Sequence, residues 1–112
     1  MSDCIFCKII AGEIPSDKVY EDDYVFAFYD IAPVVPVHIL VVPKEHIVSA
    51  ADINAENSFL VAKCFEAIAK IAKDKGLDSG YRIMNSCGVD GGQTVFHLHF
   101  HILGGKVFKD HK

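Results

Sequence analysis

Three histidines, His97, His99 and His101, stand at alternate positions in the segment 95–103. Side chains on a strand alternate between faces, so an extended chain would put all three on one face. Phe96, Leu98, Phe100 and Ile102 would then share the other face. The apolar set accounts for a core. It does not account for the histidines, because any polar residue would satisfy the alternation. A solvated strand face is one reading. A metal site is a second, but neighbours on a straight strand lie ~7 Å apart and the outer pair ~13 Å, so two could share an ion far more easily than three. Phosphate chemistry is the third. A neutral imidazole is a competent nucleophile near pH 7, and its neighbours can supply charge and protons. The flanking residues favour this third reading. Gly91-Gly92-Gln93 precedes the segment, and glycines let backbone N–H groups approach an anion closely. Asn85 adds side-chain donors nearby.

A second group of residues suggests a metal. Cys4 and Cys7 form a C-x-x-C pair, half of a tetrahedral zinc site. His46, shortly after Pro43, is a candidate third ligand. A redox pair would be expected beside a βαβ unit, which the pattern lacks. Cys64 falls in a helical pattern, where a small buried residue is the simple reading.

The elements that must position these groups read as short helix, strands, long helix, strands. Residues 4–11 suggest a short helix closed by Gly12. Residues 19–21 and 24–29 suggest two strands around an Asp22-Asp23 turn. Residues 30–35, with Pro33 and then Pro36, should be irregular. Residues 38–42 form a β-branched run ended by Pro43, apolar enough to be buried on both faces. Residues 55–75 predict one long helix, with Leu60, Cys64, Ala67, Ile68 and Ile71 at three- and four-residue steps. Asn54 or Asp52 can cap its start and Gly76 can end it. Val61, Phe65, Ala69 and Ala72 add a second apolar stripe, compatible with a subunit contact. Residues 81–85 and 95–103 complete the strands. The class is α+β with a mainly antiparallel sheet of about five strands.

Composition bounds the function. The chain has 112 residues, enough for one domain. Apolar residues make up 51% and charged residues 23%, the balance of a globular protein with a core. The formal net charge is −4 with no basic run, which argues against a general nucleic-acid binder. No apolar stretch approaches the roughly 20 residues of a membrane helix. No basic region precedes the first apolar stretch, so a secretory signal is not expected and the cytoplasm is the expected location. In a reducing cytosol the four cysteines should be free or metal-bound.

The segment from Asn85 through Gly91-Gly92-Gln93 and His97-x-His99-x-His101 to Ile102-Leu103-Gly104-Gly105 resembles the signature of the histidine triad (HIT) superfamily, especially its Hint branch. Phe28-Tyr29-Asp30-Ile31-Ala32-Pro33 and Pro36-Val37-His38-Ile39-Leu40-Val41-Val42-Pro43-Lys44 resemble that branch's nucleotide pocket, as Ile14-Pro15-Ser16 and Glu21-Asp22-Asp23 resemble its start. The likeness covers residues 4–106 and implies a single HIT domain over 1–112. It implies that His99 attacks the α-phosphorus of a nucleotide, giving a nucleotidyl-histidine that water resolves. His101 would contact the phosphate and help the leaving group, His97 would orient the nucleophile, and His38 would support the network. Asn85, Gln93 and the amide of Thr94 would hold phosphate, with Gly92 and Val95 also among the nucleotide-binding residues. Asp30 would accept from the ribose hydroxyls, and Ile31, Phe28 and Ile10 would pack on the base. Relatives often carry Ser or Glu where Thr94 stands.

The resemblance also implies a structural zinc held by Cys4, Cys7, His46 and His97, with no organic cofactor. It implies a homodimer joined through the long helix and a strand. The expected substrates are purine nucleotides, nucleoside phosphoramidates and adenylates. Diadenosine polyphosphate hydrolysis, a nucleotide-binding module with incidental turnover, and a zinc enzyme are the alternatives. The tail 106–112 lacks the Trp-Pro-Pro-Gly ending of some Hint proteins.

Overall fold

The computed structural model describes residues 3–109. Residues 1–2 and the end of the tail, 110–112, lie outside it, so the expectations about the extreme N-terminus and the last tail residues fall outside the described residues. The elements in chain order are α1 (Ile5–Ile10), β1 (Lys18–Glu21), β2 (Val25–Tyr29), β3 (Val37–Pro43), a short 3-10 turn (Ala50–Asp52), α2 (Ser58–Asp74), β4 (Arg82–Met84) and β5 (Phe100–Gly104). The strands form one antiparallel sheet in the order β1-β2-β3-β5-β4. The α+β architecture is therefore the expected one.

The sheet has two covered faces, and the register assigns residues to them. Ladder partners share a face. Ile39 faces Ile102 and Val41 faces Phe100. Together with Val25 and Ala27 they pack under α2 against Leu60, Cys64, Ala67, Ile68 and Ile71. On the opposite face Leu40 lies beside His101 and His38 beside Leu103. Here Phe26, Phe28, Leu40 and Val42 pack against Phe6 and Ile9 of α1. Residues 39–43 are buried throughout, as the continuous apolar run predicts.

Three details differ from the sequence expectation. Helix α2 begins at Ser58 rather than residue 55. Asn54 spends its side-chain oxygen on the N–H groups of Glu56 and Asn57, making a turn ahead of the helix. Asp52 instead accepts from the Ser49 hydroxyl, so neither expected cap caps α2. Strand β4 is shorter than predicted, leaving Tyr81 and Asn85 outside it.

The third difference matters most. The histidine segment is a strand only from Phe100 onward, and residues 95–97 bend. The ladder with β3 stops at the Val41–Phe100 pair, near Pro43 at the end of β3. Proline has no N–H to extend a ladder. Before Phe100 the backbone finds other partners. The Leu98 N–H donates to Ile47 O at 2.6 Å. The Asn85 side chain donates to His99 O at 2.8 Å, as a neighbouring strand would have done. Phe96 consequently leaves the expected apolar face and is 43% exposed, while Leu98 is 1% exposed.

This contrast is measurable. Leu98→Ala should destabilise the fold by about 2–5 kcal/mol, the usual range for an emptied core site, whereas Phe96→Ala should cost less than about 1 kcal/mol. Urea unfolding of both variants tests this, and equal losses would mean that the straight, fully alternating strand is the better description.

Candidate active site

Strands β3 and β5 bring His38 and His101 together on the α1 side of the sheet. Their rings lie 5.1 Å apart, and His99 lies 5.1 Å from His101 on its other side. Phe6 reaches up from α1 and sets its ring edge-on to Phe28 at 5.5 Å, His99 at 5.1 Å and His97 at 5.9 Å. Edge-to-face packing of this kind fixes ring orientation as well as burying area.

A neutral histidine has one donor nitrogen and one acceptor nitrogen, and the partner of one settles the role of the other. In His99, Nδ1 lies 2.7 Å from the backbone oxygen of His97. A carbonyl only accepts, so Nδ1 carries the hydrogen and Nε2 carries a free electron pair. In His97, Nε2 lies 2.8 Å from Pro43 O, so the free pair is on Nδ1. In His38 the direction is reversed. The Val34 N–H donates to His38 Nδ1 at 3.2 Å, so the hydrogen is on Nε2. That Nε2 lies 2.8 Å from His101 Nδ1 and 3.4 Å from an oxygen of Asp30. His101 Nδ1 must then accept, which leaves N–H at its Nε2.

The protonation states agree. Burial, with the nearby His99 and His38 rings adding to it, pushes His101 down to about 4, against the opposing pull of Asp30. Burial likewise pushes His97 down to about 4, although its hydrogen bond to Pro43 works the other way. Both rings are neutral at pH 7. His99 therefore presents a lone pair, and His101 an N–H, to any anion that enters between them.

A cavity of about 280 Å³ opens here, lined by His99 and His101. Of the residues expected to hold a nucleotide, Phe28, Asp30, Ile31, Thr94 and Val95 line it. Ile31 is 99% exposed, an apolar side chain with nothing over it. Ile10, Asn85, Gly92 and Gln93 are not in the lining. Ile10 packs behind it, against the Phe6–Ile9 cluster. Asn85 holds the backbone of His99. The Gln93 side chain is committed to the protein, accepting from Gly88 N–H and donating to Val48 O and Val95 O. Gly92, at φ +88°, shapes the turn that delivers Thr94 and Val95.

Ile5, Phe6, Ile9 and Leu40 line the cavity without having been singled out from sequence. The three-residue step from Phe6 to Ile9 was the available signal, since it marks the inward face of α1. Ile10 lies one helical step off that face.

Cys4, Cys7, His46 and His97 also converge, with their ligand atoms all within 4.8 Å of one another. Cys4 Sγ lies 3.3 Å and Cys7 Sγ 3.6 Å from His97 Nδ1, and Cys7 Sγ lies 3.3 Å from His46 Nδ1. The His97 nitrogen facing the sulfurs is the one with the free pair, as a metal ligand requires. Burial, and then the adjoining Cys4, push the Cys7 thiol up to about 11, so without a bound cation it is a neutral thiol at pH 7. The four residues fit a tetrahedral metal ion. Cys64, raised to about 12 by burial between α2 and the sheet, takes no part.

The chain belongs to the HIT family, whose HIT domain matches residues 11–108. It is 46% identical over 103 residues to the purine nucleoside phosphoramidase of Escherichia coli, covering 91% of this chain and 87% of that protein. Among solved structures, a histidine triad protein from Clostridium difficile is 55% identical, with a TM-score of 0.95 over 100% of this chain and 98% of that one. A HIT family hydrolase from Clostridium thermocellum is 46% identical, with a TM-score of 0.97 over 99% and 97% of the two chains.

The depressed His101 makes stability pH-dependent. An unfolded histidine takes up its proton near 6.5, whereas folded His101 refuses it until about 4. As pH falls through that window the unfolded chain binds more protons, so stability is present above about 6.5 and declines toward 4. From pH 7 to pH 5 the native chain should lose on the order of 1 kcal/mol more than His101→Asn. Chemical unfolding at both pH values tests this, and equal losses would show that His101 titrates normally.

Proposed function

We propose that this HIT-family hydrolase cleaves purine nucleoside phosphoramidates and related adenylates at the α-phosphorus, through a nucleotidyl intermediate on His99. The observation that carries the reading is the His99 ring, with Nδ1–H donating to the His97 carbonyl and the lone pair left on Nε2 beside the cavity. Nε2 forms a bond to phosphorus while the bond from phosphorus to the leaving nitrogen or oxygen breaks. The leaving group takes its proton from solvent, balanced by the proton the attacking water later releases, while the His101 Nε2–H donates a hydrogen bond to a phosphoryl oxygen. Water then attacks the same phosphorus, returning the ring and releasing a nucleoside monophosphate.

The remaining groups have supporting roles. Asp30 accepts from Ala32 N–H with one oxygen, and its other oxygen can take a ribose hydroxyl. Phe28 and Ile31 face the base, and covering the exposed Ile31 favours an aromatic ligand. The Thr94 and Val95 backbone, braced by Gln93, lies where phosphate oxygens need donors. Cys4, Cys7, His46 and His97 would hold a zinc ion, which would fasten α1 and Phe6 to the histidine segment and stabilise the thiolates by its charge.

The purine preference is supported by the likeness to the Escherichia coli phosphoramidase. A homodimer is supported by the edge position of β4 and by exposed apolar residues, Phe59 and Phe65 on α2 and Ile83 and Met84 on β4. No disulfide joins the four cysteines, as suits the cytoplasm.

One pair of variants tests the reading against its rivals. His99→Ala should lower turnover of an adenosine phosphoramidate by about a thousandfold or more, while AMP binding and zinc content stay as in the native chain. Cys4→Ala should lose the zinc and keep measurable turnover. Loss of zinc in His99→Ala would favour a zinc enzyme. Faster cleavage of diadenosine polyphosphates would shift the substrate class, and no cleavage of either substrate would leave a binding module.

A further inference from the structure

The loop between β2 and β3 holds two features that the proposed chemistry leaves unexplained. Asp30 and Ile31 face the cavity, and Val34, three residues on, points its backbone N–H at His38. We propose that the Val34 amide is a positioning group for catalysis: acting through His38, it fixes which nitrogen of His101 carries the hydrogen. The proposal rests on the reading that His101 serves the phosphate through Nε2–H.

The chain of bonds is directional. Val34 N–H donates to His38 Nδ1 at 3.2 Å, so the His38 hydrogen is on Nε2. That hydrogen points at His101 Nδ1, 2.8 Å away, and the Asp30 carboxylate oxygen at 3.4 Å favours the same placement. His101 must then hold its own hydrogen on Nε2, toward the cavity. Without the Val34 donor, His38 could carry its hydrogen on Nδ1 and offer a lone pair at Nε2. His101 would answer with Nδ1–H and would turn a lone pair toward the phosphoryl oxygens, which repels where it should donate. The two arrangements contain the same atoms and differ only in proton placement. The Val34 amide, with the Asp30 carboxylate favouring the same choice, selects the first.

The same three groups, Asp30, His38 and His101, cluster closely enough to suggest a cation site. The Val34 N–H argues against it, because it puts a hydrogen rather than a lone pair on His38 Nε2. The loop is also fixed by Ala32 N–H donating to Asp30 at 2.8 Å. A nucleoside resting on Asp30 and Ile31 thus touches the loop that sets the His101 proton. His38 is buried at 5% exposure, so water cannot easily substitute for the missing donor.

The test removes the N–H and little else. Val34 is 74% exposed, so its side chain contributes little. V34P deletes the amide hydrogen, and V34A keeps it. Histidine tautomers are read by nitrogen-15 NMR, alongside kcat on an adenosine phosphoramidate and the Kd for AMP. The expected result is that V34P shows His101 populated as Nδ1–H and loses about tenfold or more in kcat, with the Kd for AMP within about threefold of native. V34A should keep the native tautomers. If folded V34P keeps His101 wholly as Nε2–H, the proposal is overturned. If the tautomer moves and kcat does not, the catalytic use of His101 on which it rests is overturned instead. Should V34P fail to fold, the native spectrum decides: His38 with a lone pair on Nδ1 supports the proposal, and His38 with Nδ1–H overturns it.

Discussion

An imidazole can attack, donate or bind a metal only through the nitrogen that is not otherwise committed, and here backbone groups commit one nitrogen on each of three rings. The His97 carbonyl takes His99 Nδ1–H, the Pro43 carbonyl takes His97 Nε2–H, and the Val34 amide takes the lone pair of His38. His101 follows through its bond to His38. Each commitment leaves the opposite nitrogen with a single role: lone pair on His99, N–H on His101, and a lone pair on His97 facing two sulfurs. Backbone partners suit this task because, unlike hydroxyl or imidazole side chains, they cannot exchange donor for acceptor.

The scaffold exists to hold those partners in place. A straight strand would separate His97 from His101 by ~13 Å along one line and give all three rings the same environment. Ending β3 at Pro43 stops the ladder and lets the chain bend before Phe100. The bend sends His97 into full burial beside Cys4 and Cys7, while His99 and His101 stay at the cavity. Phe6 fills the space between the two environments, touching His97, His99 and Phe28 at once. The thiols of Cys4 and Cys7, which flank Phe6 in sequence, approach His97 of the same segment, so the Cys/His cluster and the cavity share a wall.

Much of this was legible in the sequence, and the limits have physical causes. Two-fold alternation and the β-branched run 38–42 gave the faces of the sheet, and 3.6-residue spacing gave α2. The Cys4–Cys7 spacing pointed to a metal site, and the resemblance to HIT proteins added His97 to the group of four that the fold brings together. Alternation misled at Phe96, because a side-chain pattern cannot show where hydrogen-bond partners run out. Asn85 and Gln93 read as phosphate donors since their amides are free in a sequence. In the fold those amides are spent on His99 O, and on Val48 O and Val95 O. The Val34 amide was invisible for a simpler reason: every residue but proline has an N–H, and only the fold shows where it points.

The most direct test is the proton placement on His99 in the native chain. Nitrogen-15 NMR at pH 7 should show hydrogen on Nδ1 and a lone pair on Nε2, with His97 and His101 in the opposite form. A spectrum with hydrogen on His99 Nε2 would contradict the account, because the nitrogen beside the cavity could then donate but not attack.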